Sequence, residues 1–329
     1  MSGPVLITGA TGGLGRVLAS RLAATGRAVI VTGRNPVVGA QLSSDGLRFV
    51  PADLVHDDLT ELLRGVESVH HLAALSSPWG PDRAFEAANV IATRRLLAAA
   101  RAAGVRRFIY ASTPSIYTRP AHQLGLTEAS PLPSRAVNAY ARTKLIAEKL
   151  VLAANAPGFA TVALRPRAII SPHDTVLLPR LLRAAEQGRL PLPGHGKALI
   201  EPTDARDVAD AFVLAEERAT ALGGRVFNLS GGQPVPLRDL ASHVFDRLGR
   251  RVTMPGLPAQ LVLALATLAE LGTRLRPGGQ EPVLTRYSAM ALGWSQTFDL
   301  SAARHDLGWT PQHTPLAAID WALTEMGHA

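Results

Sequence analysis

The chain has 329 residues, 47% hydrophobic and 18% charged, the balance of a folded protein with a sizeable core rather than of a disordered one. With no cysteine there are no disulfides, no thiolate nucleophile and no thiolate metal site, and no metal is expected. The formal charge of +8 comes mainly from arginines scattered singly, without the basic blocks and interleaved aromatics of nucleic-acid grooves, so nucleic acid is not an expected partner.

The N-terminus runs directly into a strand-like stretch, PVLITG (4–9), with no basic leader and no long apolar segment, which predicts a cytoplasmic protein without a signal peptide. A helix with a glycine stop follows over 14–26. Between them, TGATGGLG (8–15) spaces Gly9, Gly12 and Gly15 at three-residue intervals. At a strand-to-helix turn such glycines permit the tight turn, the approach of a pyrophosphate to the backbone and close packing of helix on strand. The loop therefore predicts a dinucleotide.

The second strand, 28–33, ends at Gly33 and Arg34. An NAD-specific site usually carries an acidic residue there. Glycine removes a charge that would repel a 2′-phosphate and arginine adds one that binds it, so NADP(H) is the preferred expectation and NAD(H) the alternative. Further strands are expected at 48–53, 68–74, 106–112 and 160–166, with helices near 57–64, 83–103 and 139–156. Strands hydrophobic on both faces, alternating with helices, predict an α/β fold built on a Rossmann-type doubly wound parallel sheet.

The last of those helices opens with NAYARTK (138–144), which sets Tyr140 and Lys144 four residues apart on one face. A cation about 4 Å from a phenol is worth roughly 4 kcal/mol at an effective dielectric of about 20, up to roughly three pH units off its pKa before desolvation acts. Such a pair suits proton exchange near neutrality, and the same spacing also serves as a plain surface pair.

After Pro166 the elements become shorter and are broken by proline and glycine. Residues 167–205 and 231–329 are expected to form a smaller C-terminal substrate-binding lobe, with 206–230 returning a helix and a strand to the dinucleotide-binding part, 1–166. The stretch LVLALATLAELG (261–272) is too short to span a bilayer, so no transmembrane segment is expected. It reads as a buried core helix, a lid over an apolar pocket, or a helix in peripheral contact with a membrane.

With the glycine loop, VHHLAAL, YAST and YARTK in this order, the chain resembles the extended short-chain dehydrogenase/reductases over nearly its whole length. HLAALSSPWGP, NVIATRRLLAAA, STPSIY, LRPRAIISPHD and the C-terminal EPVLTRYSAMALGWSQTFDLSAARHDLGWTP are most similar to the 3β-hydroxysteroid and sterol dehydrogenase branch, which includes bacterial 2-alkyl-3-oxoalkanoate reductases. The resemblance implies Tyr140 as proton donor to a carbonyl. Lys144 would lower its pKa and hold the nicotinamide ribose, Thr113 would hydrogen-bond the substrate oxygen, and Asn89 would support the lysine. Thr113 stands where the family usually has serine; Ser112 is the alternative, and Ser115 joins the substrate pocket.

The cofactor set so implied is Gly9, Thr11, Gly12, Gly13, Leu14, Gly15, Arg34, Asp53 with its neighbour Leu54 at the adenine, Ala73, Ala74, Tyr140, Lys144 and Pro166. Ser171 and Pro172 depart from the family's Gly-Pro. His173 and His195 read as surface residues. Pro114 and Ser115 follow Thr113 where sugar dehydratases place an Asp-Glu pair, and Ile200 stands where nucleotide-sugar enzymes place a diphosphate-binding arginine. The expected activity is therefore NADPH-dependent reduction of a hydrophobic ketone, 3-oxoalkanoate-like, to a secondary alcohol. The alternatives are an NAD(P)-dependent 3β-hydroxysteroid dehydrogenase, a nucleotide-sugar epimerase and a non-enzymatic NADP-sensing regulator. A homodimer is the family default.

Overall fold

The computed structural model describes residues 3–174, 177–275 and 281–328. Strands β1 (Val5–Thr8), β2 (Val29–Gly33), β3 (Arg48–Pro51), β4 (Ser68–His71), β5 (Arg107–Ala111), β6 (Ala160–Pro166) and β7 (Arg225–Leu229) form one sheet in the order β7-β6-β5-β4-β1-β2-β3. Every pairing in it is parallel. Parallel strands need a crossover between them. The chain supplies α1 (Gly13–Ala23), α2 (Pro36–Ser44), α3 (Asp82–Phe85) running on into α4 (Ala92–Ala102), α5 (Ala139–Ala153) and α6 (Ala205–Glu217).

Each face of the sheet buries its own core. Val5, Ile7, Val31, Ile109, Val162 and Leu164 pack with Leu18, Leu22, Val208 and Phe212 on one side. The alternate residues Leu6, Ile30, Val69, Phe108, Tyr110 and Ala163 pack with Leu96, Ala100, Ala147 and Val151 on the other. A period of two thus sends successive residues into different cores, which is why these strands read as continuous apolar runs.

Three local expectations change. Residues 57–64 form turns rather than a helix: the Asp58 carboxylate accepts from the backbone N–H and the hydroxyl of Thr60 and so closes a turn at the place of a first helical turn. The helix expected at 83–103 is interrupted by a wide π-helical stretch, Glu86–Ile91, a feature frequent at functional sites. A helix absent from the sequence reading, α2, is started by Asn35, whose side chain accepts from Val37 and Val38 N–H, with Pro36 at its first position.

Beyond β6 a third core gathers Ile170, Leu178, Leu181, Leu192, Ile200, Leu237, Leu240, Val244, Ile319 and Leu323. Next to it lie α7 (Ala259–Arg274) and α8 (Arg286–Gly293). Helix α7 is not the buried core helix of one sequence reading. It buries Ala259, Val262 and Ala266, while Leu261, Leu265, Leu268 and Leu271 face outward, each 48–65% exposed. No helix among the described residues is long and apolar enough to cross a membrane.

Candidate active site

The parallel register brings the ends of β1, β4, β5 and β6 to one edge of the sheet, where open α/β sheets bind ligands. At the end of β1, Gly9 turns with φ 71°, and a Cβ there would lie 2.7 Å from Ala73 N, so the chain leaving β4 passes against it. A Cβ on Gly15 would lie 2.4 Å from Gly9 O, and one on Gly13 2.3 Å from Ser171 Oγ. Substitution at any of the three would move neighbouring atoms. Helix α1 begins directly behind this loop with no side-chain cap and no acidic residue in its first turn, which leaves its N–H groups to an anionic ligand. The loop of Gly9, Thr11, Gly12, Gly13, Leu14 and Gly15 therefore fits a dinucleotide diphosphate.

At the end of β2, a Cβ on Gly33 would meet the Thr11 methyl at 2.8 Å, so a side chain at 33 would have to displace Thr11; Arg34 is exposed beside it. Asp53 follows β3, its Oδ1 accepting from Val55 N–H, and Leu54 is buried in the adjoining core. Ala73, half-buried after β4, hydrogen-bonds through its N–H to Thr8 Oγ1, and Ala74 follows it.

Tyr140, Lys144 and Glu148 occupy one face of α5, whose first turn is capped by Asn138. The Tyr140 hydroxyl lies close to Thr113 and Ser76, and burial pushes its pKa up to about 12. Thr113 donates to Ser115 Oγ (3.0 Å), and Ser115 Oγ is 2.7 Å from Tyr287 Oη. Four hydroxyl-bearing side chains, Thr113, Ser115, Tyr140 and Tyr287, with Ser76 beside them, thus form one cluster. Tyr287 comes from α8, in the chain's last fifth; it and Ser76 lie inside stretches that resemble the family, but no spacing within those stretches singles either one out.

The ammonium of Lys144 does not sit on the Tyr140 hydroxyl. Its Nζ donates to Ala111 O (2.5 Å) and lies 4.1 Å from the centroid of the Tyr110 ring. Desolvation lowers the Lys144 pKa to about 7, and the Glu148 carboxylate, one turn on, acts the other way. The simple pairing expected from spacing, in which Lys144 pulls the Tyr140 pKa down, is therefore not what this structure holds: desolvation dominates both groups. Glu148 is itself a buried anchor, accepting a bidentate bond from Arg165 (2.6 and 2.8 Å) and one from Ser112 Oγ (2.5 Å).

Ser112 is thus committed to Glu148 and is set apart from the Thr113 cluster. Asn89, on the π-helical stretch, accepts from Leu75 N–H (2.7 Å) and donates to Leu75 O and to Thr143 Oγ1 (3.0 Å). It ties the chain after β4 to α5 between the tyrosine and the lysine. Pro166 ends β6 beside these groups. Ile200, expected in the substrate pocket, instead packs in the third core at 3% exposure, so it does not line the hydroxyl cluster. His173 and His195 are exposed.

Residues 5–230 match the model of the NAD dependent epimerase/dehydratase family. The chain is 35% identical over 325 residues to the 4-hydroxy-2-methyl-3-oxo-4-farnesyl-3,4-dihydroquinoline-1-oxide ketoreductase of Stigmatella aurantiaca, covering 98% of this chain and 96% of that one. It is 35% identical over 316 residues to the 2-alkyl-3-oxoalkanoate reductase of Stenotrophomonas maltophilia, covering 94% of each. Among solved structures, MoeE5 in complex with UDP-glucose and NAD superposes with a TM-score of 0.77 at 27% identity, covering 98% of this chain and all of that one.

Proposed function

The chain belongs to the NAD dependent epimerase/dehydratase family, as an NAD(P)-dependent oxidoreductase of CH–OH and C=O groups, and we propose that within it the protein is an NADPH-dependent reductase of hydrophobic 3-oxo acids. The observation that carries the reading is the composition of the hydroxyl cluster. Tyr140 and Thr113 meet at the sheet edge, and Pro114 and Ser115 stand where a dehydration would need a further acid and base.

The bound cofactor supplies hydride. The protein's part is to hold the carbonyl oxygen between Thr113 Oγ1 and Tyr140 Oη, and to pass the Tyr140 proton to that oxygen as negative charge develops on it. Burial keeps the Tyr140 phenol protonated at neutral pH, so the proton to be transferred is in place. Lys144, on the same helix face, would hold the nicotinamide ribose. Asn89 keeps that face in register with the chain after β4.

Relatives named as a 2-alkyl-3-oxoalkanoate reductase and as a ketoreductase of a farnesyl-bearing quinoline oxide support the substrate class, and an apolar cluster begins three residues before Tyr140 in the chain. Val137, just before the α5 cap, packs with Ala259, Met290 and Trp294. Gly33 with Arg34 supports NADPH over NADH. The test is NADPH oxidation over a series of 2-alkyl-3-oxo acids of rising length, with UDP-glucose as the contrary substrate. Each buried methylene contributes about 0.8 kcal/mol, so kcat/KM should climb nearly fourfold per carbon until the pocket is full. A flat profile, or activity on UDP-glucose alone, refutes the reading.

A further inference from the structure

Arg167 is a third buried cation in this region, beside Lys144 and Arg165, and the reduction described above does not use it. It is 6% exposed, and its Nε has no hydrogen-bond partner; among the described residues no carboxylate forms an ion pair with its guanidinium. A charge so withdrawn from water normally has a hydrogen-bonded counter-ion.

Its place is imposed by the backbone. Arg167 directly follows the last residue of β6, its N–H donates to Leu229 O (2.8 Å), and its carbonyl accepts from Thr203 Oγ1 (2.6 Å). The next residue, Ala168, is held at φ 41°, a left-handed conformation that costs a non-glycine residue energy. On the neighbouring strand the chain leaves β5 through Ser112, whose N–H donates to Leu164 O (2.6 Å), into Thr113. Arg167 therefore lies at the sheet edge that carries the hydroxyl cluster. The Tyr287 phenol, bonded to Ser115, lies near both Arg167 and Tyr140. Glu201 also lies within electrostatic reach of Arg167; its Oε2 accepts from Ser230 Oγ (2.6 Å) and Phe298 N–H (3.2 Å), and it makes no direct ion pair with the guanidinium.

We infer that Arg167 is the substrate-carboxylate site, a specificity-determining residue that pairs with the acid group of a 3-oxo acid whose ketone rests on Thr113 and Tyr140. The inference rests on the ketoreductase reading for the ketone, while the carboxylate site itself is testable without turnover. An arginine serves this role because its planar fork meets both carboxylate oxygens. Burial already presses its pKa downward, so the incoming anion relieves a strained charge.

The test compares wild type, Arg167→Met and Arg167→Lys on a 2-alkyl-3-oxo acid and on the ketone that lacks its carboxyl group. The ratio of kcat/KM for acid over ketone should fall roughly 10- to 150-fold in Arg167→Met, the range for a charge-assisted hydrogen bond, and recover in part in Arg167→Lys. In parallel, decanoate and decan-1-ol are titrated by thermal shift with NADP+ saturating. Decanoate binding should weaken by the same range in Arg167→Met, with the decanol response kept. The melting temperature of unliganded Arg167→Met should hold or rise, since an unpaired buried charge has been removed. Equal losses on acid and ketone with a lowered melting temperature would make Arg167 a structural residue. Decanoate binding that is absent in wild type, or equal in wild type and variant, overturns the site. If neither ketone is turned over while decanoate binding still depends on Arg167, the reductase reading fails and the carboxylate site stands.

Discussion

Replacing Lys144 by methionine isolates the cost of burying its ammonium. The group is 2% exposed and its pKa falls from the ordinary 10.5 to about 7. The difference, about 3.5 pH units at 1.36 kcal/mol each, amounts to roughly 5 kcal/mol against the charged form. The sign follows from linkage. Below pH 7 both folded and unfolded chains hold the proton and the penalty is fully present; between about 7 and 10.5 the unfolded chain keeps a proton that the folded one has released, so wild-type stability rises with pH. Lys144→Met lacks this term.

Urea unfolding of both proteins at pH 6.5, 8 and 9.5 measures it, since the titrations of all other groups largely cancel in the difference. Wild type should gain about 3 kcal/mol on the variant between pH 6.5 and 9.5. The variant should be the more stable of the two near neutrality, the cost of a functional cation made visible as stability. In Glu148→Gln, which removes the opposing carboxylate, the rise should begin at lower pH. A wild-type minus variant difference that stays flat across this range would show that Lys144 is solvated and that burial does not govern its charge.

Tyr140→Phe should bind NADPH as tightly as wild type by fluorescence titration while turnover falls by on the order of 100-fold or more; near-normal turnover would mean another group delivers the proton. Arg34→Ala should weaken NADPH by roughly 10- to 150-fold with little change for NADH, and equal effects on both would remove Arg34 from the 2′-phosphate. His71, buried between Thr8 Oγ1 (2.7 Å) and Thr93 Oγ1 (2.9 Å), is held neutral with its pKa lowered by burial to about 3. The unfolded chain takes a proton near 6.5 that the folded one refuses, so stability should be lost as pH falls from 6.5 toward 3; His71→Gln should show a shallower acid limb in urea midpoints.

The amino-acid sequence by itself determined the alternation of strand and helix, the glycine turn at 9–15 and the placing of Tyr140 and Lys144 on one helical face, because each depends on contacts within a few residues. Apolar runs, φ-permissive glycines and an i,i+4 spacing carry their own geometry wherever they lie. Tertiary structure alone decided where each side chain's partner is. Tyr287 reaches Ser115 from 172 residues away, Arg165 and Ser112 both close on Glu148, and Lys144 turns to Ala111 O and the Tyr110 ring instead of to Tyr140. Asp58 stopped an expected helix with one side-chain turn, and Ile200 went into a core rather than a pocket. The same division holds for the protons: the spacing of Tyr140 and Lys144 predicts an attraction between charges, but how much of either charge survives depends on the desolvation around it, and that is supplied by residues far apart in the chain.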